Sequence, residues 1–118
     1  MSDSCPAGCP VKCMIIIVNR GKSEKIIEQL RAKNIMASFV LPAHGTATAK
    51  WQNLLGLGDT KKDVIITIIN KDLVGDVFGA LHDEMGIGEP GQGVAFTVNI
   101  NSIGGKRLLN YCMGKVEE

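Results

Sequence analysis

Residues 86–96 read Gly86-Ile87-Gly88-Glu89-Pro90-Gly91-Gln92-Gly93-Val94-Ala95-Phe96, four glycines within eight residues, with a strand pattern directly after. Glycine tolerates positive φ and lets a ligand or another backbone come close. Successive free backbone amides in such a loop can hold an anion, commonly a phosphate. Pro90 stiffens the turn. The same residues also read as a plain tight connection from helix to strand, because an isolated glycine-rich loop is a weak signal. On the anion reading, a side chain at 93 is expected to block the approach of a ligand to a surface loop.

Other residues with chemical potential are scattered. Cys5, Cys9 and Cys13 recur every four residues, and Cys112 is the fourth cysteine. These four could hold a metal or cluster only if the ends of the chain meet, and their spacing matches no zinc or iron–sulfur motif. A reduced tail is the plainer reading, and oxidation of that tail stays open. No metal ligands are assigned. His44 could touch a phosphate, but a loop histidine is more commonly just solvated. Asp83 and Glu84 are adjacent and diverge around a helix, so they are not a carboxylate pair for acid–base work. No nucleophile–base pair and no Walker motif is present, and no enzyme activity is expected.

These residues need a frame. The chain has 118 residues, 45% hydrophobic and 21% charged, which suits one globular domain. A net charge of +1 gives no reason to expect a nucleic-acid partner. No apolar run reaches membrane-spanning length and the N-terminus does not read as a signal peptide, so a cytoplasmic protein is expected.

Taken in order, residues 13–18 are β-branched and apolar throughout, as in a strand buried on both faces. Ser23 is the expected N-cap of a short helix carrying Ile26, Ile27 and Leu30, and Asn34 is the expected stop. Residues 36–41 read as the second strand, ended by Pro42. Residues 43–62 carry no strand pattern, and a connection that long is usually functional. Within it Trp51, Leu54 and Leu55 could form one apolar face of a helical turn, anchoring the loop or contacting a partner. The third strand is expected at 63–69. Val74, Val77, Phe78, Leu81 and Met85 then trace a helical stripe, read as core. After the glycine loop, residues 94–101 alternate as a half-buried strand.

The order is strand, helix, strand, strand, helix, strand, and the halves match at an offset of 51 residues. Ile15-Ile16-Ile17-Val18-Asn19-Arg20 lies over Ile66-Thr67-Ile68-Ile69-Asn70-Lys71. Two such units predict an α+β, ferredoxin-like βαββαβ fold with an antiparallel sheet and both helices on one face. The other face is apolar too and needs a partner; a cyclic trimer would cover it.

With the split repeat, the long loop and Gly91-Gln92-Gly93-Val94-Ala95-Phe96 in place, the sequence resembles the PII signal-transduction family, in its PII-like branch. The family's B-loop reads Gly-Asp-Gly-Lys-Ile-Phe, so Gly91, Gly93 and Phe96 match. Leu55-Gly56-Leu57-Gly58-Asp59-Thr60 and Gly45-Thr46 also resemble PII-like proteins. The resemblance implies a tail at 1–12, a domain at 13–107 with a T-loop at 43–62 and a B-loop at 86–94, and a second tail at 108–118. It implies a homotrimeric regulator that senses a small effector in clefts between subunits, an adenine nucleotide such as ADP, AMP, ATP or cyclic AMP. The T-loop would act on a membrane transporter or metabolic enzyme. Ligand residues carried over by position are Ile17, Gly45, Thr46, Gly88, Gly91, Gln92, Gly93, Val94, Phe96 and Arg107. Partner residues are Thr48, Trp51, Leu54 and Leu55.

The departures are specific. The family's B-loop lysine is Val94 and its aspartate is Gln92, which removes a point charge from the phosphate site. Gly104 and Gly105 stand where family members carry larger side chains. Tyr111 is the sole tyrosine and falls outside the loop. A metal-binding trimer of the same fold and a scaffold without ligand are the alternatives.

Overall fold

The apolar stretch in the first third of the chain forms a central strand of a four-stranded antiparallel sheet. In the computed structural model, residues 3–4, 10–35, 37–44, 61–89, 91–105 and 107 are described. In chain order they form β1 (Asp3–Ser4), β2 (Val11–Asn19), α1 (Ser23–Ala32), β3 (Ser38–His44) and β4 (Lys61–Asn70). A 3-10 turn at Lys71–Leu73 leads into α2 (Val74–Met85), followed by β5 (Val94–Asn99) and β6 (Ser102–Ile103). The main sheet runs β3-β4-β2-β5, with every neighbouring pair antiparallel. This is the ferredoxin-like α+β architecture expected from the repeat.

One face of the sheet packs on the helices. Met14, Ile16 and Val18 of β2 and Ile65 and Ile69 of β4 meet Ile26 and Leu30 of α1 and Val77 and Leu81 of α2 in one buried cluster. The stripe on α2 is core, as its spacing predicts. Asn34 ends α1 with φ 63, its amide bonded to the Arg31 carbonyl and that of Ile35 to the Leu30 carbonyl, a helix stop in the left-handed conformation. The buried Thr67 hydroxyl is satisfied by Ser38 and the Ala37 carbonyl.

The other face carries no helix among the described residues. Residues directly opposed in an antiparallel pair share a face. The register therefore gathers Cys13, Ile15 and Ile17 with Val64, Ile66 and Ile68, with Val94, Phe96 and Val98, and with Phe39 and Leu41. Phe39 is 67% exposed, Leu41 47%, Phe96 43% and Val98 46%. These side chains leave an exposed apolar surface on the face of the sheet opposite the helices.

Several boundaries differ from the sequence expectation. β2 starts at Val11. β3 continues through Pro42 to His44, because it is an edge strand, where a residue without an amide hydrogen does not interrupt a ladder on the outer side. β4 starts at Lys61. Ala43, His44, Lys61 and Lys62 of the expected loop are thus paired strand residues. β5 ends at Asn99, and Ser102–Ile103 pairs with Asp3–Ser4 instead. Lys22, not Ser23, is the N-cap of α1, and no side chain caps that end. No helix of the described residues is long and apolar enough to cross a membrane.

Candidate functional site

The glycine loop is built from the end of α2 outward. Gly86 closes the helix with φ 69, its amide donating to the His82 carbonyl at 2.9 Å, and the Ile87 amide donates to the Leu81 carbonyl at 3.2 Å. Beyond it, Glu89 N–H donates to the Gly86 carbonyl, Gln92 N–H to the Glu89 carbonyl and Gly88 N–H to the Gly93 carbonyl, at 2.9, 3.1 and 3.0 Å. These bonds fix the loop's shape. Among the described residues, the amides of Gly91 and Gly93 are the two in the loop that donate to nothing. They flank Gln92, and both glycines have positive φ, at 81 and 118.

Gly93 corrects the surface-loop expectation. It is buried. A Cβ there would lie 2.7 Å from the Ile17 carbonyl oxygen and 2.9 Å from Val18 Cγ1. The residue is glycine first because the loop is pressed against β2. Its neighbour Gln92 lies over Gly86, with Cγ 3.3 Å from where a Cβ would stand on that glycine.

A second set of contacts gathers beside the loop. The turn after β2, residues 19–22, carries Arg20 and Lys22. Lys22 Nζ donates to Gln92 Oε1 at 3.3 Å. Arg20 donates to the Ala43 carbonyl at 3.2 Å and the Lys62 carbonyl at 3.5 Å, and its Nε stands 3.7 Å from Asp63 Oδ1. Asp63 Oδ2 accepts the Gly21 amide at 3.1 Å, and Lys62 Nζ donates to Asn19 Oδ1 at 2.7 Å. One turn therefore touches both the glycine loop and the two strands that lead into and out of residues 45–60.

The expected ligand residues divide. Ile17, Gly88, Gly91, Gln92, Gly93 and Val94 lie together, with Ile17 directly opposite Val94 in the sheet register. Phe96 sits further along β5 on the open face, opposite Ile15. Arg107 is exposed and makes no described contact with the loop. Gly45, Thr46, Thr48, Trp51, Leu54 and Leu55 lie outside the described residues, as do Cys5, Cys9 and Cys112. Cys13 is a free thiol on the open face. Among the described residues no group of three His, Cys, Asp or Glu side chains is placed to hold a metal ion.

Lys22 and Arg20 are the residues that sequence reasoning missed. Both sit in a short polar turn whose composition is unremarkable, and their partners lie up to 70 positions away. Their only sequence signal was the basic character of the turn. His82 is likewise tied to the loop, with Nε2 3.2 Å from Glu89 Oε1. Hydrogen bonding to Glu89, and secondarily to Asp83, raises its pKa above the usual 6.5.

No family model matches the chain and no curated protein matches it. Solved structures do. CPII from Thiomonas intermedia K12, bound to ADP, AMP and acetate, superposes with a TM-score of 0.63 at 18% identity, over 84% of this chain and 92% of that one. The GlnK–ATP complex of B. subtilis gives 0.60 at 19% identity, over 77% and 82%. PII of Arabidopsis thaliana bound to citrate gives 0.59 at 17% identity, over 78% and 76%. The fold is that of the PII and PII-like signalling proteins.

Proposed function

We propose that the chain is a PII-like regulator that binds an adenine nucleotide at the glycine loop and acts on a partner protein through residues 45–60. The observation that carries this reading is the pair of uncommitted amides at Gly91 and Gly93 in a loop whose other described amides are all used. That is an anion cradle held rigid by its own hydrogen bonds. The structural neighbours CPII and GlnK hold adenine nucleotides, which supports the choice of ligand. The open apolar face supports a cyclic trimer, with sheets of three copies packed together and the ligand in the clefts between them. Such a protein works by ligand-dependent docking, in the cytoplasm, rather than by catalysis. Residues 45–60 are the docking segment, with Thr48, Trp51, Leu54 and Leu55 as contacts and a transporter or metabolic enzyme as the partner. Gly45 and Thr46 at its start, Phe96 and Arg107 belong to the cleft.

Calorimetric titration of the purified chain with ATP, ADP, AMP and cyclic AMP, with and without magnesium, tests the reading. Micromolar binding of one of them is expected. No binding across the panel would overturn it.

A further inference from the structure

We infer that Lys22 is the cation of the glycine-loop site, taking the role that position 94 leaves empty, and that it binds the phosphate of the ligand. The inference rests on the nucleotide reading above and names a residue that neither the sequence nor the resemblance assigned.

Four observations carry it. Lys22 Nζ is bonded to Gln92 Oε1 at 3.3 Å, and Gln92 stands between the two uncommitted amides. An ammonium has three donors, and among the described residues this one is the only bond Lys22 makes through its side chain. Gln92 is itself held, since its side chain packs over Gly86 and its backbone N–H donates to the Glu89 carbonyl, so the lysine is directed at the loop rather than at open solvent. Val94 carries no charge and begins β5 opposite Ile17, on the open face of the sheet.

The neighbouring charges leave Lys22 available. Asp63 is engaged by Arg20 and the Gly21 amide, and Glu89 by His82. Glu24, in the first turn of α1, is exposed. A lysine on a flexible stem approaches phosphate as a point charge, and two amides plus one ammonium make a site for a phosphate group.

The test compares ADP with adenosine, which has the same base and sugar and no phosphate. Native chain, Lys22→Gln and Lys22→Arg are titrated by calorimetry, with thermal melts to show that each is folded. Lys22→Gln is expected to weaken ADP binding about tenfold or more and leave adenosine unchanged. Lys22→Arg keeps the charge and most of the affinity. Unchanged ADP affinity in Lys22→Gln would overturn the role of Lys22 while leaving the nucleotide reading intact. An equal loss for ADP and adenosine would also overturn it, since the lysine would then only shape the loop. Failure of the native chain to bind ADP would overturn both.

Discussion

Arg20 and Asp63 face one another where the chain re-enters the sheet at β4, with Nε 3.7 Å from Oδ1. The arginine side chain is 39% exposed and the aspartate 11%, so the ion pair alone contributes about 1 kcal/mol or less. The bond from the Gly21 amide to the same carboxylate is the better protected one. Asp63→Ala removes both partners and is expected to lower the unfolding free energy by about 1–3 kcal/mol. Asp63→Asn keeps an acceptor and should lose less. Urea denaturation separates the two, and equal losses would assign the effect to charge.

Gly93→Ala brings a methyl group within 2.7 Å of a backbone oxygen at φ +118. The expected destabilisation is about 2–4 kcal/mol. Gly88→Ala has the comparable strain at φ +101 but nothing within 4 Å of the added atom, so about 1 kcal/mol is expected. A thermal melt of both variants isolates the contact with Ile17. Similar melting temperatures would mean that β2 yields to the methyl group.

Ile66 sits at the middle of the open face, paired with Ile15 on one side and Phe39 on the other. Ile66→Lys places a charge where three sheets would meet. A native trimer is expected in sedimentation velocity, and a monomer with unchanged helix content for the variant. A trimer that survives the lysine would remove this face from the assembly.

His82 is expected to titrate above 6.5, because Glu89 and Asp83 favour its protonated form. The sign follows from linkage: a raised folded-state pKa contributes stability that is fully present below the unfolded value and is lost as pH rises through the folded one. Glu89→Gln should move the histidine back toward 6.5, read from its ring proton shifts by NMR. An unmoved titration would break the link between helix end and loop.

The extent to which these features were legible in the sequence follows from their range. Ile15 and Ile66 are superposed by the repeat and are also direct partners in the sheet, so the central strands could be read from period and offset alone. Val77 and Leu81 were legible for the same reason, and Asn34 because a helix stop is local. Pro42 misled, since whether proline ends a strand depends on its place at an edge, which only the folded sheet decides. Ser23 is already the first helical residue, with Lys22 at the N-cap and no side-chain cap bond, so its hydroxyl does not play the capping role its type suggests. The pairing of Asp3–Ser4 with Ser102–Ile103 is too short to leave a period. The Lys22–Gln92 bond joins two ordinary polar residues distant in sequence, and no local pattern marks it.

The two ends of β2 face different surroundings. Ile17 and Arg20 stand with the glycine loop and with Ala43 and Lys62. At the other end the Pro10 carbonyl accepts the Lys71 amide, Lys12 lies opposite Asn99, and Asp3–Ser4 pairs with Ser102–Ile103. Val11–Asn19 is nine residues of strand, which separates these ends by roughly 26 Å. A tether at residue 4 therefore fixes the molecule by its far side. A chain coupled to a sensor chip there is held at the end of β2 remote from the glycine loop.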